Sequence, residues 1–255
     1  FSIIFFILFK FTRLKEFGID RPAILFFCFI LYYYLKFYSS NNSNILNTFI
    51  LISLISIIII TIKIIYLPIV LIPFYIFIKN KKKLALYDKR YFLILFALLI
   101  FFLKNLLSTG CLVYPVVQSC FDFISWSNSK SAGELTFLGE YFNKSWTSYN
   151  GVLTKSEYVK NFNWFVTWFL RGKIEIIEVF STVLLVFLIT VYSFGFSINN
   201  NIKIKKKYYS LNKILFLIIL ISLFLFFSKN PVVRMNFHIL ISFFVLLNIY
   251  FVDLN

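Results

Sequence analysis

Two side chains late in the chain are spaced to hold an anion. In the run from Asn230 through Pro231, Arg234 and Asn236 to His238, Asn230 is a good helix N-cap and Pro231 fits the first helical position. A helix starting there puts Arg234 and His238 four apart on one face. A guanidinium fork, an imidazole and the positive helix end then meet at one spot near a membrane surface. That set suits a phosphate or diphosphate. The alternative is an arginine snorkelling to headgroups and a histidine bonded inside a bundle.

Acids that could activate an acceptor hydroxyl as general base are Asp122, Glu134 and Glu140 in a central polar stretch, and Glu178 after it. In the run Lys173 to Glu178, Glu175 and Glu178 are three apart and share a helix face. The macrodipole alone favours acids at a helix start. Glu178 lies a turn deeper, where a carboxylate calls for a polar cavity or a cation. Trp164 and Trp168, four apart and followed by Arg171, offer aromatic faces that either anchor at headgroup depth or stack on sugar rings. Cys111 and Cys120 are either two buried thiols or a disulfide. In an oxidising compartment the bond would contribute about 2–3 kcal/mol in the chain-entropy model. Cys28 reads as a small apolar residue. The single histidine rules out a multi-histidine metal site within this sequence. No Walker loop, GxGxxG, HExxH or CxxC occurs, so neither metal nor cofactor is expected.

The elements that must position these residues are membrane helices. Of 255 residues 60% are hydrophobic, more than a water-soluble fold can cover. The net charge of +16 sits in short lysine clusters between apolar runs and not in a stripe across a soluble domain. It therefore argues for orientation in a bilayer and against nucleic acid. Lys79 to Arg90 is the strongest such cluster, with Asp88 its one acid, and Lys203 to Lys207 is a second. Both are expected on the cytoplasmic side, which puts 108–173 outside. The run Ile45 to Ile78 would make roughly 50 Å of helix, too long for one straight span. Lys63, Pro68 and Pro73 predict a span ending near Thr61 and then a kinked piece. Thr154 to Glu157 is a capping box opening an amphipathic helix with Tyr158, Phe162, Phe165, Val166 and Phe169 on its apolar face. Arg171-Gly172 is expected to end that helix. The opening apolar run Phe1 to Phe9 is too short to cross and reads as the tail of a truncated helix.

Three stretches resemble bacterial multi-pass membrane proteins of surface-glycan synthesis, similar to GT-C glycosyltransferases and O-antigen polymerases or ligases. They are Ser108 to Pro115 running on to Cys120 and Ser125-Trp126-Ser127, then Asn163 to Trp168, then Asn230-Pro231 with Arg234. The resemblance implies a lipid-linked sugar, carried on a polyprenyl phosphate, handled at the outer face of the inner membrane. If the chain is an enzyme that transfers or polymerises such sugars, Arg234 and His238 are expected to hold the phosphate and one of the four acids to act as base.

The expected architecture is all-α, a polytopic transmembrane bundle of about six to seven spans. Residues 1–107 and 174–255 supply the helices, and 108–173 forms an extracytoplasmic region with one interfacial helix. A non-catalytic subunit of a larger membrane complex, or a transporter, fits the same composition.

Overall fold

The computed structural model describes residues 20–39, 45–81, 84, 88–127, 129–195, 209–232 and 236–254. Among these the chain is all-helical: α1 Asp20–Ser39, α2 Ile45–Ile62, α3 Leu71–Lys79, α4 Tyr91–Thr109, α5 Ser129–Asn143, α6 Lys155–Val159, α7 Phe165–Gly195, α8 Tyr209–Ser228 and α9 Phe237–Leu254, with short 3-10 turns between. The expected helix tail Phe1 to Phe9, the cluster Lys203 to Lys207 and Arg234 lie outside the described residues.

The chain divides into two compact units. One comprises Phe1–Leu86, Ile174–Phe226 and Val233–Asn255, the other Tyr87–Lys173 with Phe227–Val232. The division between Lys173 and Ile174 coincides with the expected one, while the other side of the second unit lies at Tyr87. Helix α4 groups with the polar segment, and so does the short stretch after α8.

In the first unit α1 packs on α2 through one stripe. Ala23, Phe27, Ile30, Leu31 and Tyr34 recur at helical spacing and are buried, while Phe29 and Tyr32 on the other side are exposed. The facing stripe of α2 contains Phe49, Ile52, Ser53, Ser56 and Ile59. Its two serines are satisfied within the helix, each hydroxyl donating to the carbonyl four residues back (Phe49 and Ile52, both at 2.8 Å). Helix α2 stops at Ile62, Lys63 is extended, and a 3-10 turn over Ile64–Val70 with Pro68 inside leads into α3. This is the break that Lys63, Pro68 and Pro73 predict, because proline removes an amide donor and crowds the preceding turn. Tyr66, from that turn, reaches His238 of α9 at 4.4 Å between ring centroids, and Phe27 of α1 lies 6.1 Å from the same imidazole.

In the second unit α4 is entered from Asp88–Arg90. Both carboxylate oxygens of Asp88 accept from the Arg90 guanidinium (2.9 and 2.7 Å), which holds the Asp88 carboxyl down at about 2. No residue of α4 is buried. The helix ends at Gly110, whose left-handed φ of 72° closes the C-terminus.

Two expectations fail and a third is met only in part: the helix expected to open at Asn230-Pro231 begins at Phe237. Among the described residues two helices, α2 and α4, are long and apolar enough to cross a membrane. Pro22–Phe37, Ile64–Lys79, Lys213–Ser228 and His238–Leu247 are shorter apolar helices, so among the described residues the all-helical part of the expectation is met and the count of about six to seven full spans is not supported. The expected interfacial helix is also broken. The capping box forms, the Thr154 hydroxyl accepting from the Glu157 amide and the Glu157 carboxylate from the Thr154 amide, but α6 ends at Val159. Lys160 is extended, and Asn161 and Phe162 adopt positive φ (53° and 60°) before α7 begins at Phe165. Helix α7 then runs 31 residues without stopping at Arg171-Gly172. Glu175 and Glu178 thus sit inside a helix, three turns or so from its start, where the macrodipole argument no longer reaches.

Candidate functional site

The second unit gathers acid, base and aromatic groups around the end of α5. Glu140 and Lys144 are four apart, which brings their side chains together on one helix face. The Lys144 ammonium donates to Glu140 Oε1 at 2.7 Å and to the Val159 carbonyl at 3.3 Å, and lies 5.3 Å from the centre of the Trp164 ring. Lys144 is only 3% exposed, so these three partners replace the water it has lost. Ser145, at φ 69°, then turns the chain into Trp146–Ser148. Trp146, Tyr149 and Tyr158 pack with Tyr141 of α5 at ring separations of 4.6–5.7 Å. The Tyr158 hydroxyl donates to the Lys144 carbonyl.

The other oxygen of Glu140 accepts from Lys229 at 2.7 Å, eighty-nine positions away. Two residues on, the Pro231 carbonyl accepts from the Trp168 indole. The stretch after α8 is therefore bonded to the polar segment at two points. Arg171 follows Trp168 by three positions, on the neighbouring face of α7, and donates to Thr147 Oγ1 at 3.0 Å. Lys229 is 62% exposed on its side chain and Arg171 is exposed. An ammonium, a guanidinium and a half-buried indole so placed can take up an anion that carries a ring. Glu140 gives both oxygens to ammonium groups, which makes it a brace and a poor candidate for a base.

The family described as Domain of unknown function (DUF8201) matches residues 1–241. The chain belongs to DUF8201. No curated protein and no solved structure matches it.

In this DUF8201 chain the residues singled out from sequence separate. Trp164 and Trp168 meet, with the two indoles 5.9 Å apart, Glu140 is linked to Trp164 through Lys144, and Arg171 lies one turn along α7 from Trp168. Asp122 and Glu134 are exposed on the loop after α4 and on α5; Glu134, six positions before Glu140, presents a different face. Glu178 is exposed and belongs to the first unit, as does His238. His238 is fully buried against Tyr66 and Phe27, and neither ring nitrogen has a hydrogen-bond partner among the described residues. It is thus not open to a headgroup in this structure. Cys111 and Cys120 are joined by a disulfide. No group of three or more metal-ligating side chains occurs among the described residues.

Sequence reasoning missed Lys144 and Lys229. The Glu140–Lys144 spacing was a signal that could have been read. No local pattern links Glu140 to Lys229.

Proposed function

We propose that this DUF8201 member is an integral membrane protein of the bacterial inner membrane. In this reading it is a bundle of about six to seven spans that handles a sugar carried on a polyprenyl phosphate at the outer face. The placement of Lys229 on Glu140, of Trp168 on the Pro231 carbonyl two residues further on, and of Arg171 one turn along α7 from Trp168 carries the reading. Cationic groups beside an indole suit a phosphate attached to a sugar, the anion pairing with Lys229 and Arg171 and the ring stacking on Trp168. Transfer or polymerisation of the sugar would follow from the same placement. Embedding in lipid is supported by α4, which is apolar on every face from Phe92 to Leu103 and has no buried residue.

The test is binding of polyprenyl diphosphate to the full chain in lipid nanodiscs. Lys229→Ala and Arg171→Ala should each weaken it about tenfold, the effect of losing one charge-assisted contact. Equal affinity in wild type and both variants would remove the site.

The uncovered surface of α4 also favours a second reading, a subunit whose apolar helix is covered by partner proteins. Co-purification of a stable membrane complex would select it. A transporter draws support from His238, Ser222 and Ser242, buried polar groups whose side chains lack hydrogen-bond partners among the described residues. Flux in proteoliposomes without sugar transfer would select that reading.

A further inference from the structure

The loop after α4 is tightly built yet leaves large apolar side chains uncovered. The disulfide Cys111–Cys120 closes it, and the backbone pairs across it, with the Leu112 amide on the Ser119 carbonyl at 2.9 Å and the Phe121 amide on the Gly110 carbonyl at 3.0 Å. Its far end returns to its start. Ser127 lies so close to Gly110 that a Cβ there would come within 2.3 Å of the Ser127 Cβ. Two side chains tie the loop to the last turns of α4: the Asn105 amide donates to the Leu112 carbonyl (3.2 Å), and the Trp126 indole donates to the Leu106 carbonyl (3.1 Å). The Thr136 hydroxyl of α5 fastens it further through the Pro115 carbonyl.

On this held framework Phe123 is 84% exposed and Trp126 is 56% exposed. They continue an apolar surface that includes Phe102, Leu103 and Leu107 on α4 itself, all exposed. From residue 105 to residue 127 the only charged side chain is Asp122. Helix α4 is 19 residues, about 28 Å, which matches the hydrocarbon thickness of a bilayer. Its start carries the Lys89 and Arg90 charges and its end carries this loop. The loop is therefore at the level where lipid headgroups meet acyl chains, the depth that tryptophan and other aromatic rings occupy. The Trp126 N–H is already spent on Leu106, which leaves the indole face for lipid.

We infer that the loop 110–127, braced by the Cys111–Cys120 disulfide, is an interfacial anchor, its Phe123 and Trp126 rings seated at the headgroup–acyl boundary of the outer leaflet. It holds the polar segment at the membrane surface, and it rests on the membrane reading above. The partner is a lipid surface of no particular headgroup, since the contact is made by apolar rings.

The experiment uses the full chain and its Trp126→Phe variant, each reconstituted in phosphatidylcholine vesicles. The vesicles contain lipids brominated either near the headgroup end of the acyl chain or near its methyl end. The difference in emission between the two proteins isolates Trp126. That difference should be quenched strongly by shallow bromines, less by deep ones, and little by aqueous iodide. Quenching by iodide alone places the loop in water and overturns the anchor. Silence to both quenchers means that protein covers the ring, which also overturns it. So does stronger quenching by the deep bromines. A chain that fails to float with vesicles on a density gradient overturns the membrane reading itself, so the two failures are told apart. Phe123→Trp on the Trp126→Phe background repeats the measurement at a position whose side chain makes no bond to α4, and it should show the same depth profile.

Discussion

Glu140 serves two lysines of unequal environment, and that difference sets what each substitution should cost. Lys144 and Glu140 are both shielded, at 4% and 11% side-chain exposure, so removing the carboxylate leaves a buried ammonium with only Val159 and the Trp164 face. Glu140→Ala should lower stability by about 3 kcal/mol, the range for breaking a shielded ion pair from one side. Lys229 is exposed, so Lys229→Ala should cost under about 1 kcal/mol. Thermal unfolding of both variants, followed by tryptophan emission, tests the contrast; equal losses would mean that Glu140 braces Lys229 and Lys144 alike. Lys229→Ala is thus the variant that can lose ligand while keeping the fold. The Thr154 hydroxyl and amide both donate to Glu157 Oε2 (2.7 and 2.8 Å), holding that carboxyl below the ordinary glutamate range. A carboxylate shifted down stabilises the fold at pH above its unfolded value, and the benefit disappears as pH falls through the folded one. The start of α6 should therefore stay closed at neutral pH and open only below the ordinary glutamate range. Amide exchange at Thr154 and Glu157 should rise there in wild type, and Thr154→Ala should erase the step.

Helix α4 separates the membrane reading from a soluble one by the sign of a single substitution. Leu99, near its middle, is 53% exposed. If α4 lies in lipid, Leu99→Arg puts a cation at the bilayer centre at about 2.5–3.5 kcal/mol and should lower the membrane-inserted fraction sharply. If α4 faced water, the same change would leave stability unaltered and raise solubility. Fractionation and carbonate extraction of the variant read this directly. How far such elements were legible in the chain depended on whether their causes are local. The end of α2 at Ile62 could be read because Lys63, Pro68 and Pro73 act on their own turns. The capping box of Thr154 and Glu157 could be read because it spans four residues. The break after Val159 could not, because the apolar neighbours keep helical spacing across it, and only the extended Lys160 and the positive φ of Asn161 and Phe162 mark it. The continuity of α7 through Gly172 was hidden for the opposite reason: a glycine that can end a helix need not do so. The Glu140–Lys229 pair was out of reach of any local pattern, since its partners are brought together by the fold alone.

At the scale of the whole molecule the charge distribution makes a claim about sidedness. Lys89 and Arg90 precede α4, and the disulfide loop with the rest of the polar segment follows it. Positive residues stay on the cytoplasmic side of a membrane, so the start of α4 should face inward and its end outward. Two single cysteines can test this on a Cys28→Ser background, because Cys111 and Cys120 are bonded to each other and do not react. Val152 lies at a fully exposed loop tip and Lys89 is exposed, so neither substitution disturbs packing. Val152→Cys should react with an impermeant maleimide in intact cells, and Lys89→Cys only after the membrane is permeabilised. Reversed labelling would turn the polar segment toward the cytoplasm, where its disulfide would be reduced and a lipid-linked sugar of the outer leaflet could not reach Lys229. Labelling of both cysteines from one side would mean that α4 does not cross at all. Its uncovered apolar surface would then need a protein partner in place of lipid.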